Sequence, residues 1–202
     1  NSNFFLNIYC LLFSDILETI SCCRPFILGW YLMDISPWVR EHYKYIKEGG
    51  LVLDLACGNG RHGKFLMENG FKVVFLDLDI SRLTGISNKA AIQIIQHNLE
   101  DGSSWPFAPE MFDAVVVTNY LHRPIFNKLI SLISCDGLLI YETFAKGNEV
   151  FGKPSNPDFL LNSEELIELV RPKMRVTSFY EGYSNEGRKA IMQKIVAKKV
   201  RR

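Results

Sequence analysis

The stretch Leu51-Val52-Leu53-Asp54-Leu55-Ala56-Cys57-Gly58-Asn59-Gly60-Arg61-His62 decides the fold. Its first five residues are apolar apart from Asp54, the pattern of a strand buried on both faces. The run closes in a turn where Gly58 and Gly60 let the backbone come close to a ligand. Asp54 stands inside the apolar run, where an unpaired carboxylate is costly to bury. A helical stretch over 61–69 follows at once, and the next apolar run, 72–77, ends in the acid Asp77. Strand, glycine turn, helix and a second strand ending in a carboxylate form an arrangement that holds an adenosine-bearing cofactor.

Outward from this stretch, apolar runs alternate with helical patterns. Strands are predicted at 51–56, 72–77, 92–96, 112–118 and 137–143. Helices are predicted at 61–69, in a short piece from Ser81, and at 121–133. Ser36 can cap a helix that has Pro37 at its first position and runs to about Glu48, where Gly49-Gly50 break it. The alternation predicts an α/β, Rossmann-like sheet, mostly parallel, with helices on both faces. The last third differs. Residues 144–161 are rich in Gly, Pro and Asn and read as a long ordered loop, a length that is usually functional. Ser163 is the predicted cap of a short helix ending at Val170. Residues 174–181 and 189–198 then read as an antiparallel hairpin turning at 182–187, which brings the sheet to seven strands. Residues 36–202 are expected to form one domain, preceded by an N-terminal extension, 1–35.

The 202 residues suffice for one domain with a sizeable core, and 48% of them are hydrophobic. The formal net charge of +1 is spread along the chain, so no basic tract suggests nucleic acid and no acidic tail suggests disorder. The five cysteines are odd in number and show no CxxC spacing or paired histidines. Neither a disulfide framework nor a metal site is expected, and the reducing cytoplasm is the predicted compartment. Residues 4–13 are almost wholly apolar, but they lack the basic region and cleavage site of a signal peptide. Asp15 and Glu18 interrupt them well short of a membrane span. An extra amphipathic helix is the expectation for this extension, with a targeting remnant or a dimer contact as alternatives. The first residue is Asn rather than Met, as in a fragment or a processed form.

Gly58-Asn59-Gly60-Arg61-His62-Gly63 formally matches GxGxxG, which admits a nicotinamide or flavin dinucleotide. Charge separates the possibilities. A dinucleotide presents a pyrophosphate to the helix N-terminus, and Asp54 close by would repel it. S-adenosylmethionine has no phosphate and presents a cationic ammonium and sulfonium, which an acid favours. Asp77 stands where a ribose diol would be gripped by two hydrogen bonds, with Asp79 as the alternative or as a cap for the helix from Ser81. After the third strand, Gln96, Asn98, Glu100 and Asp101 offer polar groups to the adenine edge.

Val52-Leu-Asp-Leu-Ala-Cys-Gly-Asn-Gly-Arg-His62 resembles motif I of the class I S-adenosylmethionine-dependent methyltransferases, in the variant of the tellurite-resistance-type branch. The blocks Phe112-Asp-Ala-Val-Val-Val-Thr-Asn-Tyr-Leu-His-Arg-Pro124 and 139–161 resemble a group of small bacterial methyltransferases. The resemblance spans roughly Pro37 to Lys198. It implies that Asp54, Ala56, Cys57, Gly58 and Gly60 hold the methionine part of the cofactor and that Asp77 holds the ribose. Leu78, Asn98, Leu99 and Asn119 complete the implied cofactor contacts. The adenine position is usually Asp, and Asn98 replaces it here; an amide oxygen still accepts from the adenine amino group.

Methyl transfer is an in-line displacement in which positioning supplies much of the acceleration. The acceptor belongs over the C-terminal ends of the fourth and fifth strands. Asn119 and Tyr120 are predicted to line the site, with His122 as a candidate base and Arg123 as an anchor for an anionic substrate. The structural alternative makes His122 a helix-start residue and pairs Arg123 with Glu142 or another acid. Tyr141 and Glu142 leave the fifth strand beside them, Glu142 favouring the structural part. The loop with Asn148, Phe151 and Asn156 reads either as a water-excluding lid or as a connection pinned by Pro154 and Pro157. Cys57 and His62 read as loop-shaping residues. The predicted function is methyl transfer to a small molecule by a monomer or homodimer, with no nucleic acid or membrane partner. A non-catalytic binding protein and a dinucleotide oxidoreductase are the alternatives.

Overall fold

The computed structural model describes residues 35–84, 86 and 92–200. The predicted helical extension therefore lies, apart from Ile35, outside the described residues. From Ser36 onward the chain forms one compact unit built on a seven-stranded sheet of order β3-β2-β1-β4-β5-β7-β6. The strands are β1 (Leu51–Leu55), β2 (Lys72–Asp77), β3 (Ile92–Gln96), β4 (Phe112–Thr118), β5 (Ile133–Phe144), β6 (Met174–Ser184) and β7 (Ala190–Lys199). β1 to β5 are parallel, and β7 pairs antiparallel with both β5 and β6. Among the described residues no helix is long and apolar enough to cross a membrane.

Both faces of the sheet are covered, as the near-continuous apolar runs require. Leu53, Leu76, Val115, Val117, Leu139 and Ile195 pack with Leu129 and Ile130 of α3 (Phe126–Leu132) and with Leu166 and Val170 of α4 (Glu165–Val170). Each such side chain contributes on the order of 1.5–3 kcal/mol by leaving water. On the other face, Asp54 aligns with Phe75, Val116 and, through β5, Ile140. That face carries α1 (Pro37–His42) and α2 (Arg61–Glu68). α2 lies so close that a Cβ on Gly63 would stand 2.1 Å from Phe75 Cε1.

Helix ends depart from the sequence reading for local reasons. The Ser36 side chain caps α1 as predicted, accepting from Trp38 and Val39 N–H. The helix nevertheless tightens into a 3-10 turn over Tyr43–Tyr45 and stops short of Glu48. The helix predicted from Leu121 starts as a 3-10 turn at Arg123–Ile125 and becomes α-helical only at Phe126, because Pro124 lacks an N–H and restricts Arg123. Ser163 does not cap α4. Glu164, at φ 56°, holds the cap position without a side-chain bond, and the buried Gln193 Oε1 accepts from Leu166 N–H at 3.0 Å. β5 starts earlier than predicted, at Ile133, through an irregularity that puts Asp136 at φ 66°. Asp79 caps the Ile80–Arg82 turn through Ser81 N–H at 3.0 Å.

Candidate active site

The C-terminal ends of the parallel strands gather the candidate residues. Leaving β1, Ala56 takes φ 53°, Gly58 φ 56° and Gly60 φ 71°, and Cys57 N–H still bonds Leu76 C=O at 3.1 Å. The chain thus stays attached to β2 while it turns. The Asp77 carboxylate closes the loop: one oxygen accepts from Gly58 N–H at 2.7 Å, the other from Asp79 N–H at 3.0 Å. Each oxygen keeps lone-pair capacity for a ligand hydroxyl. A Cβ on Gly58 would meet nothing within 4 Å, whereas one on Gly60 would meet Leu83 Cδ2 at 2.5 Å. Gly58 therefore fronts open space, and Gly60 and Gly63 serve close packing.

Asp54 is 2% exposed and accepts from Gly63 N–H at 2.8 Å. Burial pushes its carboxyl up to about 7, against the lowering effects of that bond and of Arg61. It pins α2 to β1 from beneath the loop. His62 is equally buried. Its Nε2 accepts from Ser36 N–H at 3.2 Å, and its Nδ1 faces Thr118 Oγ1 at 3.3 Å. Accepting at Nε2 places the proton on Nδ1, so this is a neutral imidazole; burial, helped by Arg61, lowers its pKa to about 3. Burial raises the Cys57 thiol far above its ordinary range. Both residues brace the loop.

Beyond β3, Asn98 Oδ1 accepts from Glu100 N–H at 2.9 Å. Leu99 is buried, and Leu78 is exposed beside the Asp77 loop. Glu100 Oε1 accepts from Tyr120 OH at 3.0 Å, tying the β3 loop to the β4 loop. Burial raises the Tyr120 phenol, with Glu100 adding to the effect. Asn119 is exposed and holds φ 56°, an uncommon conformation for a non-glycine residue. Its N–H is fixed on Glu142 C=O at 2.9 Å.

Five residues considered for the substrate site or the lid make framework contacts instead, Arg123 and Glu142 in line with their structural alternative. Tyr141 is buried, and its OH donates to Tyr120 C=O at 2.6 Å, so it holds the β4 loop from below. Glu142 is buried against Lys194 at 3.6 Å. Arg123 pairs with Glu165 rather than Glu142: Nη2 lies 2.9 Å from Glu165 Oε2, and Nη1 and Nη2 each donate at 2.8 Å, to Asp158 and Leu160 C=O. A guanidinium satisfies these acceptors in one plane. Asn148 is buried; it donates to Pro154 C=O at 2.9 Å and accepts from Ile191 N–H at 3.3 Å. Asn156 Oδ1 caps the short turn at Pro157–Phe159. The loop is thus a pinned connection. Phe151 and Asn156 are exposed, the Phe151 ring centroid lying 5.5 Å from that of Tyr183. His122 precedes the Arg123 turn with no side-chain capping bond.

Residues 52–134 match the family described as Methyltransferase domain. The fold is that of S-adenosylmethionine-dependent methyltransferases of known structure. The chain is 28% identical over 138 residues to the Bacillus subtilis protein YqeM, a methyltransferase by name, the match covering 59% of this chain and 55% of the relative. The match thus spans about half the length of that relative. TehB of Haemophilus influenzae superposes with TM-score 0.65 at 20% identity over 82% of this chain and 62% of TehB. A 1,6-didemethyltoxoflavin-N1-methyltransferase of Burkholderia thailandensis, solved with its substrate and S-adenosylhomocysteine, superposes with TM-score 0.60 at 15% identity, covering 96% of this chain and 90% of that one.

The sequence reading missed Ser36, Thr118, Glu165, Gln193 and Lys194 as parts of the framework around the site. Lys194 did carry a signal. It is a charge inside the apolar run 191–197, the same anomaly that singled out Asp54 in β1.

Proposed function

We propose that the chain transfers a methyl group from S-adenosylmethionine to a small-molecule acceptor. The observation that carries this reading is the Asp77–Gly58 closure: a carboxylate at the end of β2 holds a glycine loop whose Gly58 fronts open space. Asp77 would hold the ribose hydroxyls, the Ala56–Gly60 turn the methionine end, and Leu78 and Asn98 the adenine. The cofactor supplies an activated methyl on a sulfonium. Asn119 and Tyr120 then line the approach, and the Tyr141 hydroxyl and the Glu142 carbonyl hold them in place. An acceptor that must lose a proton has His122 as the candidate base. Asp54, beneath the loop, opposes a pyrophosphate and favours a cation. The small bound substrate of the Burkholderia thailandensis neighbour and the mixed charge of the chain favour a small acceptor over nucleic acid. Cysteine usage favours action in a reducing cytoplasm.

Calorimetric titration with S-adenosylhomocysteine, and separately with NADH, tests the reading on wild type and Asp77→Ala. Micromolar binding of the first ligand alone, weakened at least about tenfold by the substitution, supports it. NADH binding, or a folded chain that binds neither ligand, overturns it.

A further inference from the structure

Lys194 is buried in the interior of the sheet, and the reaction outlined above makes no use of it. It is the register partner of Glu142, and Glu142 is the register partner of Thr118. The three side chains therefore share one face of the sheet, that of α1 and α2. Thr118 immediately precedes Asn119, and its hydroxyl touches His62 beside the glycine loop. Strands stand about 4.8 Å apart, so Lys194 lies two spacings, roughly 10 Å, from Thr118.

The partners of the ammonium are unequal. Glu142 is 7% exposed in its side chain and stands 3.6 Å away, longer than a good hydrogen bond. The close partner is Glu186, on the tip joining β6 to β7, with a side chain 44% exposed. The Tyr180 ring lies 5.9 Å from Nζ. A buried ion pair adds little net stability, because desolvation opposes the attraction, so stability alone does not account for a lysine here. The contact that satisfies it comes from a side chain that can turn into water.

Resting on the methyltransferase reading, we propose that Lys194 is the seat for a carboxylate carried by the methyl acceptor, and that Glu186 fills this seat until the acceptor displaces it. The exchange replaces one carboxylate on the ammonium by another and leaves the charge of the buried site unchanged. Glu142 stays in place, and Thr118 marks the end of the site nearer the methyl group.

The test titrates benzoate, with benzamide as the uncharged control, into the full chain saturated with S-adenosylhomocysteine. The variants are Glu186→Gln and the paired Lys194→Met/Glu142→Leu, which leaves neither buried partner without its counter-charge. Benzoate should bind wild type and bind Glu186→Gln about tenfold more tightly, because the competing carboxylate is gone. Benzamide should not separate these two proteins. The paired variant should lose benzoate while still binding S-adenosylhomocysteine. Equal benzoate affinity in wild type and Glu186→Gln, no benzoate binding by either, or retention by the paired variant overturns the proposal and leaves the methyltransferase reading standing. The Glu186→Gln comparison decides by itself if the paired variant fails to fold. Failure of wild type to bind S-adenosylhomocysteine overturns the methyltransferase reading, and this proposal with it.

Discussion

The backbone N–H of Ser36 donates to Nε2 of His62 at 3.2 Å, joining the cap of α1 to the first turn of α2. The Ser36 hydroxyl accepts from two N–H groups of α1, and it helps to hold down the Glu142 carboxyl, which burial raises. One serine therefore joins two helices on the face that carries the glycine loop.

His62 and Asp54 should give opposite pH dependences. His62 falls to about 3 in the folded chain, so the unfolded chain binds the extra proton between that value and about 6.5. Its share of stability is present above pH 6.5 and drains as pH falls. Asp54 rises to about 7, so the folded chain binds the extra proton above the ordinary carboxylate range, and its share drains as pH rises toward 7. Each slope is at most roughly 1.4 kcal/mol per pH unit, and the two oppose one another from about pH 4 to 6.5. Urea unfolding across this window should show His62→Gln losing stability as pH rises and Asp54→Asn gaining it. Parallel slopes for the two variants would contradict this assignment.

Gly58 and Gly63 should separate binding from folding. Gly63→Ala drives a Cβ to 2.1 Å from the Phe75 ring and 2.9 Å from Asp54 Oδ2, an overpacking cost of about 1–3 kcal/mol or more. Gly58→Ala meets no atom but must hold φ 56°, a cost of roughly 1–2 kcal/mol, and its methyl enters the space given to the cofactor. Thermal unfolding should therefore penalise Gly63→Ala more. Titration with S-adenosylhomocysteine, on whichever proteins fold, should penalise Gly58→Ala more than its lost stability accounts for.

Arg123→Lys keeps the charge and loses the planar fork that gathers Glu165, Asp158 and Leu160. Because Arg123 is partly exposed, most of the loss is geometric rather than coulombic. Limited proteolysis should cut the 145–161 loop several-fold faster in this variant, while S-adenosylhomocysteine affinity stays within about twofold of wild type. An unchanged digestion pattern would show that the loop is held by its other bonds, such as those of Asn148.

Cys57 should be chemically quiet. Burial holds its thiol protonated at neutral pH, and a protonated thiol is neither a nucleophile nor a ready target for alkylation. Cys57→Ser should retain most methyl transfer, and iodoacetamide at pH 8 should modify Cys135 well before Cys57. A folded but inactive Cys57→Ser enzyme would assign that residue a part in the reaction.

The parallel sheet and the glycine turn at the end of β1 were legible in sequence because strand burial, turn glycines and terminal acids are local signals. Asp54, Gly58 and Asp77 announce themselves by residue type and spacing. The framework around the ends of β4 and β5 was less legible, since its bonds cross the chain: Arg123 meets Glu165, Tyr141 meets Tyr120, and Gln193 takes the N–H that Ser163 was expected to cap. Nothing in 144–161 states whether its asparagines face outward or inward. Asn148 turned inward because Ile191 N–H and Pro154 C=O lie where its amide reaches both.

β7 follows β6 in the chain but sits between β5 and β6 in the sheet. During synthesis, the cofactor loop and β1 to β5 exist before the strand that completes them. Until Ala190–Lys199 arrives, β5 is an open edge, and a strand of this apolarity invites wrong pairing. Lys194 and Gln193 arrive in the same step, so the proposed acceptor side is assembled only when the sheet closes. A nascent chain halted before β7 should therefore be a client for chaperones rather than a partly working enzyme.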